Sequence, residues 1–263
     1  MNLELKEFNI HNLKSDGTIA IIAKRRSGKS FLCRDILYNH RKIPAGIVVS
    51  PTERANKFYG DFIPPSFIYD DYEEGIVDNL IKRQCKLLEK KSDKMNAFLI
   101  MDDCMHDNKW VKHKSILNIF MNGRHYKLLF ILLMQFALGI PPALRTNIDY
   151  IFLLKEPIYS NKKRLYEHYA GMFPSFDIFS QVMDRCTENF ECLVIDNTTR
   201  STKLEDQVFW YKAVNRDVFK MGYEIYWNCH RKKYNPDIKK KNDLKDTFLN
   251  NKPKQKILIK KLK

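Results

Sequence analysis

Nothing in this sequence supplies a disulfide framework or a zinc cage. Its six cysteines (Cys33, Cys85, Cys104, Cys186, Cys192, Cys229) form no C-x-x-C pair and no metal-ligand spacing. Cys104-x-His106 is a two-ligand fragment, too few to argue for zinc. Reduced thiols in a cytosolic compartment are the simplest account. The most apolar run, Leu128 to Ile140, is too short to cross a bilayer and contains Gln135. The opening Met1-Asn2-Leu3-Glu4 is charged rather than apolar, so no signal peptide and a soluble protein are expected. No internal repeat is visible.

What is present is a large potential core and an excess of positive charge. Of 263 residues, 44% are apolar and 13% aromatic, enough for one large domain. The net charge of +15 and pI near 9.4 suit a polyanionic partner, nucleic acid or an acidic membrane surface. The excess is uneven. From Arg231 to Lys263, thirteen Lys or Arg stand against three Asp, so this stretch holds ten of the fifteen net charges. With few large apolar residues, 231–263 reads as a basic, flexible tail after a folded domain over 1–230.

The chain alternates short apolar runs with helical patterns. Strands are expected at Thr18–Ile22, Ala45–Val49, Ala97–Met101, Leu128–Met134 and Tyr150–Leu154, with late strands at Glu191–Ile195 and Gln207–Tyr211. An edge strand is expected around Leu5 to Ile10. Helices are expected from the residue after Ser30 to about Asn39, and over 73–91, 112–122, 161–169 and 176–185. In 73–91 the residues Ile76, Leu80, Ile81, Leu87 and Leu88 make an apolar stripe. Phe62-Ile63-Pro64-Pro65 is a rigid irregular segment. Trp227-Asn228-Cys229-His230-Arg231 reads as loose surface or an edge strand. The seven-residue run Leu128–Met134 is the best candidate for a central strand. The alternation predicts an α/β fold, a mainly parallel sheet with helices on both faces.

The chemistry starts at Ala23-Lys24-Arg25-Arg26-Ser27-Gly28-Lys29-Ser30, between a strand and a helix. This is the context of a phosphate-binding loop, G-x-x-x-x-G-K-[ST], with Ala23 in place of the first Gly. Backbone N–H groups over Arg25, Arg26, Ser27, Gly28, Lys29, Ser30 and Phe31 would wrap a polyphosphate at a helix N-terminus. Lys29 would reach the β- and γ-phosphates, and Ser30 would give its hydroxyl to Mg²⁺. Ala is compatible with the first position at negative φ, and Gly28 stands at the sharpest turn.

Such a loop needs an acid at a neighbouring strand end. Asp102 closes an apolar strand and would hold Mg²⁺ opposite Ser30; Asp103 follows and would orient or deprotonate water. Strand residues alternate sides, so both acids point one way only if the strand ends between them. Gln135 closes Leu128–Met134, where a polar amide needs a partner and would sit near the γ-phosphate and the attacking water. Arg124, in Asn122-Gly123-Arg124-His125, precedes that strand at the opposite sheet edge. It would reach a neighbouring subunit's nucleotide as an arginine finger in trans, and Arg145 is the second candidate for that role.

Taken in order, Ile21 to Ser30, Phe98-Leu99-Ile100-Met101-Asp102-Asp103, and Gly123-Arg124-His125 leading to Gln135 resemble the genome-packaging ATPases of nucleocytoplasmic large DNA viruses. These form the poxvirus-type branch of the FtsK–HerA superfamily of P-loop NTPases. The segment Pro51-Thr52-Glu53 to Phe58-Tyr59, with Phe62-Ile63-Pro64, is also similar, and the likeness spans about 17 to 215. The resemblance implies a RecA-like sheet with another strand between the two nucleotide-binding strands. It implies a homo-oligomeric ring that hydrolyses ATP with Mg²⁺ and pumps double-stranded DNA into a preformed capsid. A capsid or internal-membrane protein at the packaging vertex would be a partner, and the virion and host-cytoplasm assembly sites the location. By motif position Asp102 is the Mg²⁺ acid, Asp103 the catalytic acid, Gln135 the γ-phosphate sensor and Arg124 the finger. Two positions depart from the pattern, Ala23 for Gly and Asp103 where the wider superfamily often has Glu, and the tail has no counterpart.

Two other classes fit parts of the sequence. A small-molecule P-loop kinase fits the loop, but no Arg-rich lid is evident and it has no use for Gln135 or Arg124. A non-catalytic basic DNA-binding virion protein fits the charge and leaves Lys29, Ser30 and Asp102 as coincidences. A GTPase is disfavoured because Asn161-Lys162-Lys163-Arg164 lacks the acid of an Asn-Lys-x-Asp motif.

Overall fold

Apolar runs buried on both faces dictate the centre of the molecule. The computed structural model describes residues 3–92, 95–104 and 110–233. In chain order the elements are β1 (Thr18–Ile22), α1 (Lys29–Asn39), β2 (Ala45–Val49), α2 (Glu53–Asn56), β3 (Ile68–Tyr69), α3 (Glu74–Glu89), β4 (Ala97–Asp102), α4 (Lys114–Asn122) and β5 (Leu128–Met134). There follow α5 (Pro142–Arg145), β6 (Tyr150–Leu153), α6 (Tyr159–Tyr169), α7 (Phe176–Cys186), β7 (Glu191–Asp196), α8 (Leu204–Gln207), β8 (Val208–Lys212) and α9 (Glu224–Lys233). The strands form one eight-stranded sheet in the order β3-β2-β4-β5-β1-β6-β7-β8. Pairing is parallel from β3 through β6, and β7 and β8 join antiparallel.

Every residue of β1, β4, β5 and β6 is buried. Alternation along β1 divides the core. Ala20 and Ile22 pack with α3, α4, α6 and α7, while Ile19 and Ile21 pack with α1 and Tyr226 of α9. A strand clothed by helices on both faces needs no polar alternation, so Leu128–Met134 reads as an unbroken apolar run. Gly46 in β2 is required by packing, because a Cβ there would lie 2.3 Å from the Phe98 ring on the adjacent strand.

Several expectations change. The edge strand at Leu5 to Ile10 is a single bridge of Glu7 to Trp210, with Phe8 N donating to Trp210 O at 2.8 Å. The chain then turns into a short 3-10 helix at Ile10–Asn12, which the Asn9 side chain caps by accepting from His11 N. Segment 227–231 is neither loose nor extended; it lies in α9. Tertiary contacts hold that helix: Tyr226 is buried and its hydroxyl donates to Gly46 O at 2.7 Å, and Trp227 Nε1 donates to Met221 O at 2.9 Å. The helix also crosses the 230/231 boundary expected between domain and tail. Residues 234–263 of that tail, and His106, lie outside the described residues. The stripe on α3 is centred on Val77 and Leu80, with Ile76 and Ile81 partly buried beside them.

Candidate active site

The loop after β1 is held by its neighbours before any ligand is considered. Ala23 N donates to Met134 O at 2.9 Å, and Leu154 N donates to Ile22 O at 3.1 Å. Ser27 Oγ donates to Lys24 O at 2.5 Å and closes the turn. Arg26 (φ 63°) and Gly28 (φ 96°) take left-handed backbone, whereas the buried Ala23 does not. That is why Ala is tolerated at 23 and Gly is needed at 28. Gly28 is the N-cap of α1 and no side chain caps it, so the first-turn N–H groups have no side-chain acceptor at the cap. Lys24, Arg25 and Arg26 are exposed; Ser27 and Ser30 are half-buried.

Lys29 turns inward and is buried. Its amine forms an ion pair with Asp103 and lies 3.4 Å from Asp102 Oδ1. The acids stand at the end of β4, and β5 runs between β4 and β1 as expected. β4 ends at Asp102, and Asp103 takes left-handed backbone at φ 55°. That one residue of left-handed turn cancels the strand alternation, so both carboxylates reach one amine. Asp tolerates this conformation better than most residues.

Asp102 is buried, and burial raises its carboxyl above the usual range. Asp103 raises it further, while Lys29 and a hydrogen bond from Tyr59 oppose the shift. The Tyr59 hydroxyl donates to Asp102 Oδ2 at 2.9 Å. Among the described residues Asp102 Oδ1 has no hydrogen-bond partner. Tyr59 is itself placed by Glu53, whose carboxylate accepts from Tyr59 N at 3.0 Å and Gly60 N at 2.8 Å. Tyr59 falls in a segment noticed only for family likeness; its contact with Asp102 crosses elements far apart in sequence, and no local pattern signals it.

The donor set fits Mg²⁺. A buried carboxylate oxygen without a hydrogen bond, beside a loop whose Ser30 carries a hydroxyl, suits an ion that takes few protein ligands and completes its shell with phosphate oxygens and water. Among the described residues no three His, Cys, Asp or Glu side chains gather as a metal cage.

Gln135 follows β5, and the Ile22↔Met134 register sets it beside Ala23. It lines a cavity of about 220 Å³ with Ala23, Lys24, Glu156 and Arg164. Arg124 is exposed in the turn before β5, at the other end of that strand, about 23 Å away by strand rise. It lines a separate polar cavity with Asp16, Thr18 and Asp149. Arg145 is committed within its own chain: Nε donates to Ile140 O at 2.7 Å, Nη1 lies 2.8 Å from His168 Nδ1, and the guanidinium stacks 5.7 Å from the Tyr169 ring. The structure thus separates the two finger candidates, one exposed and one engaged.

Comparison with known proteins adds the wider context. The model of the family described as Poxvirus A32 protein matches residues 5–161. Protein L437 of Acanthamoeba polyphaga mimivirus is 45% identical over 243 residues, covering 89% of this chain and 85% of that protein. Protein 075L of Invertebrate iridescent virus 6 is 40% identical over 233 residues, covering 87% and 90%. Among solved structures, the genome packaging NTPase B204 of Sulfolobus turreted icosahedral virus 2, in complex with AMP, aligns with a TM-score of 0.54 at 16% identity, over 77% of this chain and all of that one. B204 of Sulfolobus turreted icosahedral virus, described as its DNA-packaging ATPase, aligns with a TM-score of 0.54 at 18% identity over the same shares. At such identities the likeness speaks for the fold, an α/β P-loop NTPase with a mainly parallel sheet.

Proposed function

The chain belongs to the poxvirus A32 protein family, and from that premise we infer that it is a genome-packaging NTPase whose hydrolysis of ATP drives double-stranded DNA into a capsid. One observation carries this reading: the amine of Lys29 meets the carboxylates of Asp102 and Asp103 beside the phosphate loop, though Lys29 opens α1 and the acids stand at the end of β4. A basic DNA-binding protein that holds no nucleotide has no need of that meeting.

Each residue then has a role. Loop N–H groups from Arg25 to Phe31 hold the phosphates, and Lys29 leaves its ion pair for the β- and γ-oxygens. That exchange releases Asp103, which takes a proton from water as the water oxygen bonds to the γ-phosphorus and the bond to the β,γ-bridging oxygen breaks. Gln135 orients that water from the end of β5. Asp102 and Ser30 would hold Mg²⁺, which when bound would neutralise charge on the phosphates. Arg124 cannot serve its own nucleotide across the length of β5, so it acts on a neighbour's in a ring.

The net charge of +15 supports a DNA cargo, because translocation needs many phosphate contacts without sequence preference. A capsid or internal-membrane protein at the packaging vertex completes the assembly, at viral assembly sites in the host cytoplasm and in the virion. Among the described residues no helix is long and apolar enough to cross a membrane. The test is ATP hydrolysis with and without linear duplex DNA across protein concentration. Stimulation by DNA and a steep concentration dependence are expected. Phosphate transfer to a nucleoside with no DNA effect would overturn the reading in favour of a kinase.

A further inference from the structure

The phosphate loop has two flanks, and the chemistry above uses only one. The acids stand on β4, to one side of β1. On the other side, beyond β6, a groove of about 770 Å³ opens against the loop. Gly28, Phe31 and Leu154 line its inner end, and Asn189, Phe190 and Asn215 its outer part. The cavity at Gln135 and this groove share only Leu154.

Two aromatic rings in this groove are not spent on the core. Phe31 is 42% exposed and Phe190 is 75% exposed. Phe190 is presented by unusual backbone, since Asn189 (φ 52°) and Phe190 (φ 63°) are both left-handed, a region bulky side chains avoid. Its ring lies close to the loop: a Cβ built on Gly28 would be 3.8 Å from Phe190 Cδ1. The far wall is anchored to the loop's own helix by Asp35, which is fully buried on α1. Asp35 accepts from the Tyr211 hydroxyl at 2.5 Å, Val214 N at 2.9 Å and Arg216 Nε at 2.6 Å.

We propose that this groove is the nucleobase subsite, where Phe190 and Phe31 stack on a purine ring. The inference rests on the nucleotide reading given above. A triphosphate is a linear chain. With its γ end at Asp102, Asp103 and Gln135, the nucleoside end leaves the loop on the opposite flank, past Gly28 and Phe31. There it meets an apolar groove with aromatic faces and two amide side chains, and a purine presents a flat π-surface with a polar edge. Stacking on an aromatic face is tolerant of base identity, so the subsite favours the larger rings over pyrimidines without a strict code.

The experiment is calorimetric titration of the full chain with ATP, CTP and inorganic tripolyphosphate. ATP is expected to bind more tightly than CTP, and both more tightly than tripolyphosphate. Phe190→Ala should weaken ATP about tenfold and leave tripolyphosphate unchanged, with Phe190→Trp restoring ATP affinity. Because Phe190 is largely exposed, its truncation leaves the core intact. Unchanged ATP affinity in Phe190→Ala, or an equal loss for ATP and tripolyphosphate, would overturn the subsite while leaving the phosphate loop standing. If the wild-type chain binds neither ligand, the nucleotide reading fails and the subsite fails with it.

Discussion

The hydroxyl of Tyr59 donates to one oxygen of Asp102, and among the described residues the other has no hydrogen-bond partner. The carboxylate is thereby held in one orientation, with Oδ1 turned to the Lys29 amine at 3.4 Å. Removing the hydroxyl should loosen that orientation. In Tyr59→Phe the Mg²⁺ concentration for half-maximal hydrolysis should rise about tenfold, the low end of what a hydrogen bond to a charged group, about 1.5–3 kcal/mol, corresponds to. The rate at saturating Mg²⁺ should stay near wild type. An unchanged Mg²⁺ dependence would reduce Tyr59 to a packing residue.

Lys29→Ala should abolish ATP hydrolysis, and the ion pairs add a consequence for stability. Without the amine, buried Asp102 and its neighbour Asp103 face each other uncompensated. Burial already raises the Asp102 carboxyl, so the folded state holds its proton more tightly than the unfolded chain. Such a group favours folding at low pH and loses that contribution as pH rises through its folded value. The melting temperature of Lys29→Ala should therefore fall furthest below wild type near neutrality. The gap should narrow as the pH drops toward the ordinary carboxylate range. A gap independent of pH would place the cost elsewhere.

Arg124→Ala should leave ATP binding near normal and reduce hydrolysis in assembled protein by about a thousandfold. Mixing tests the direction of supply. Arg124→Ala subunits keep an intact loop, and Lys29→Ala subunits keep the arginine, so mixed assemblies should regain part of the activity. No recovery on mixing, together with weakened ATP binding, would mean that Arg124 acts within its own subunit.

Truncation after Lys233 removes ten Lys and three Asp, seven of the fifteen net charges, while sparing α9, which an earlier cut would break. The shortened chain should bind duplex DNA more weakly, with a flatter dependence of affinity on salt. An unchanged slope would assign the tail a task other than phosphate contact.

Some of this molecule was legible residue by residue. An apolar strand, a glycine-bearing loop ending in Lys29 and Ser30, and a helix are contiguous, so local pattern alone located them. Leu128–Met134 stood out because a strand covered on both faces must be apolar throughout. Gly46 carried no such signal, since what demands it is the Phe98 ring on another strand.

Sequence alone therefore determined the order of the strands' chemistry: phosphate loop, acid pair, arginine, glutamine. Each is a short segment whose neighbours in the chain are its structural context. Tertiary structure decided how they combine. It set Asp103 in left-handed backbone so that two acids face one amine, and brought Tyr59 to Asp102. It turned 227–231 into a helix anchored on β2, committed Arg145 to His168, and exposed Phe190 beside Gly28. These outcomes depend on contacts between segments far apart in the chain. Such contacts exist only once the sheet has formed, so no window of sequence contains them.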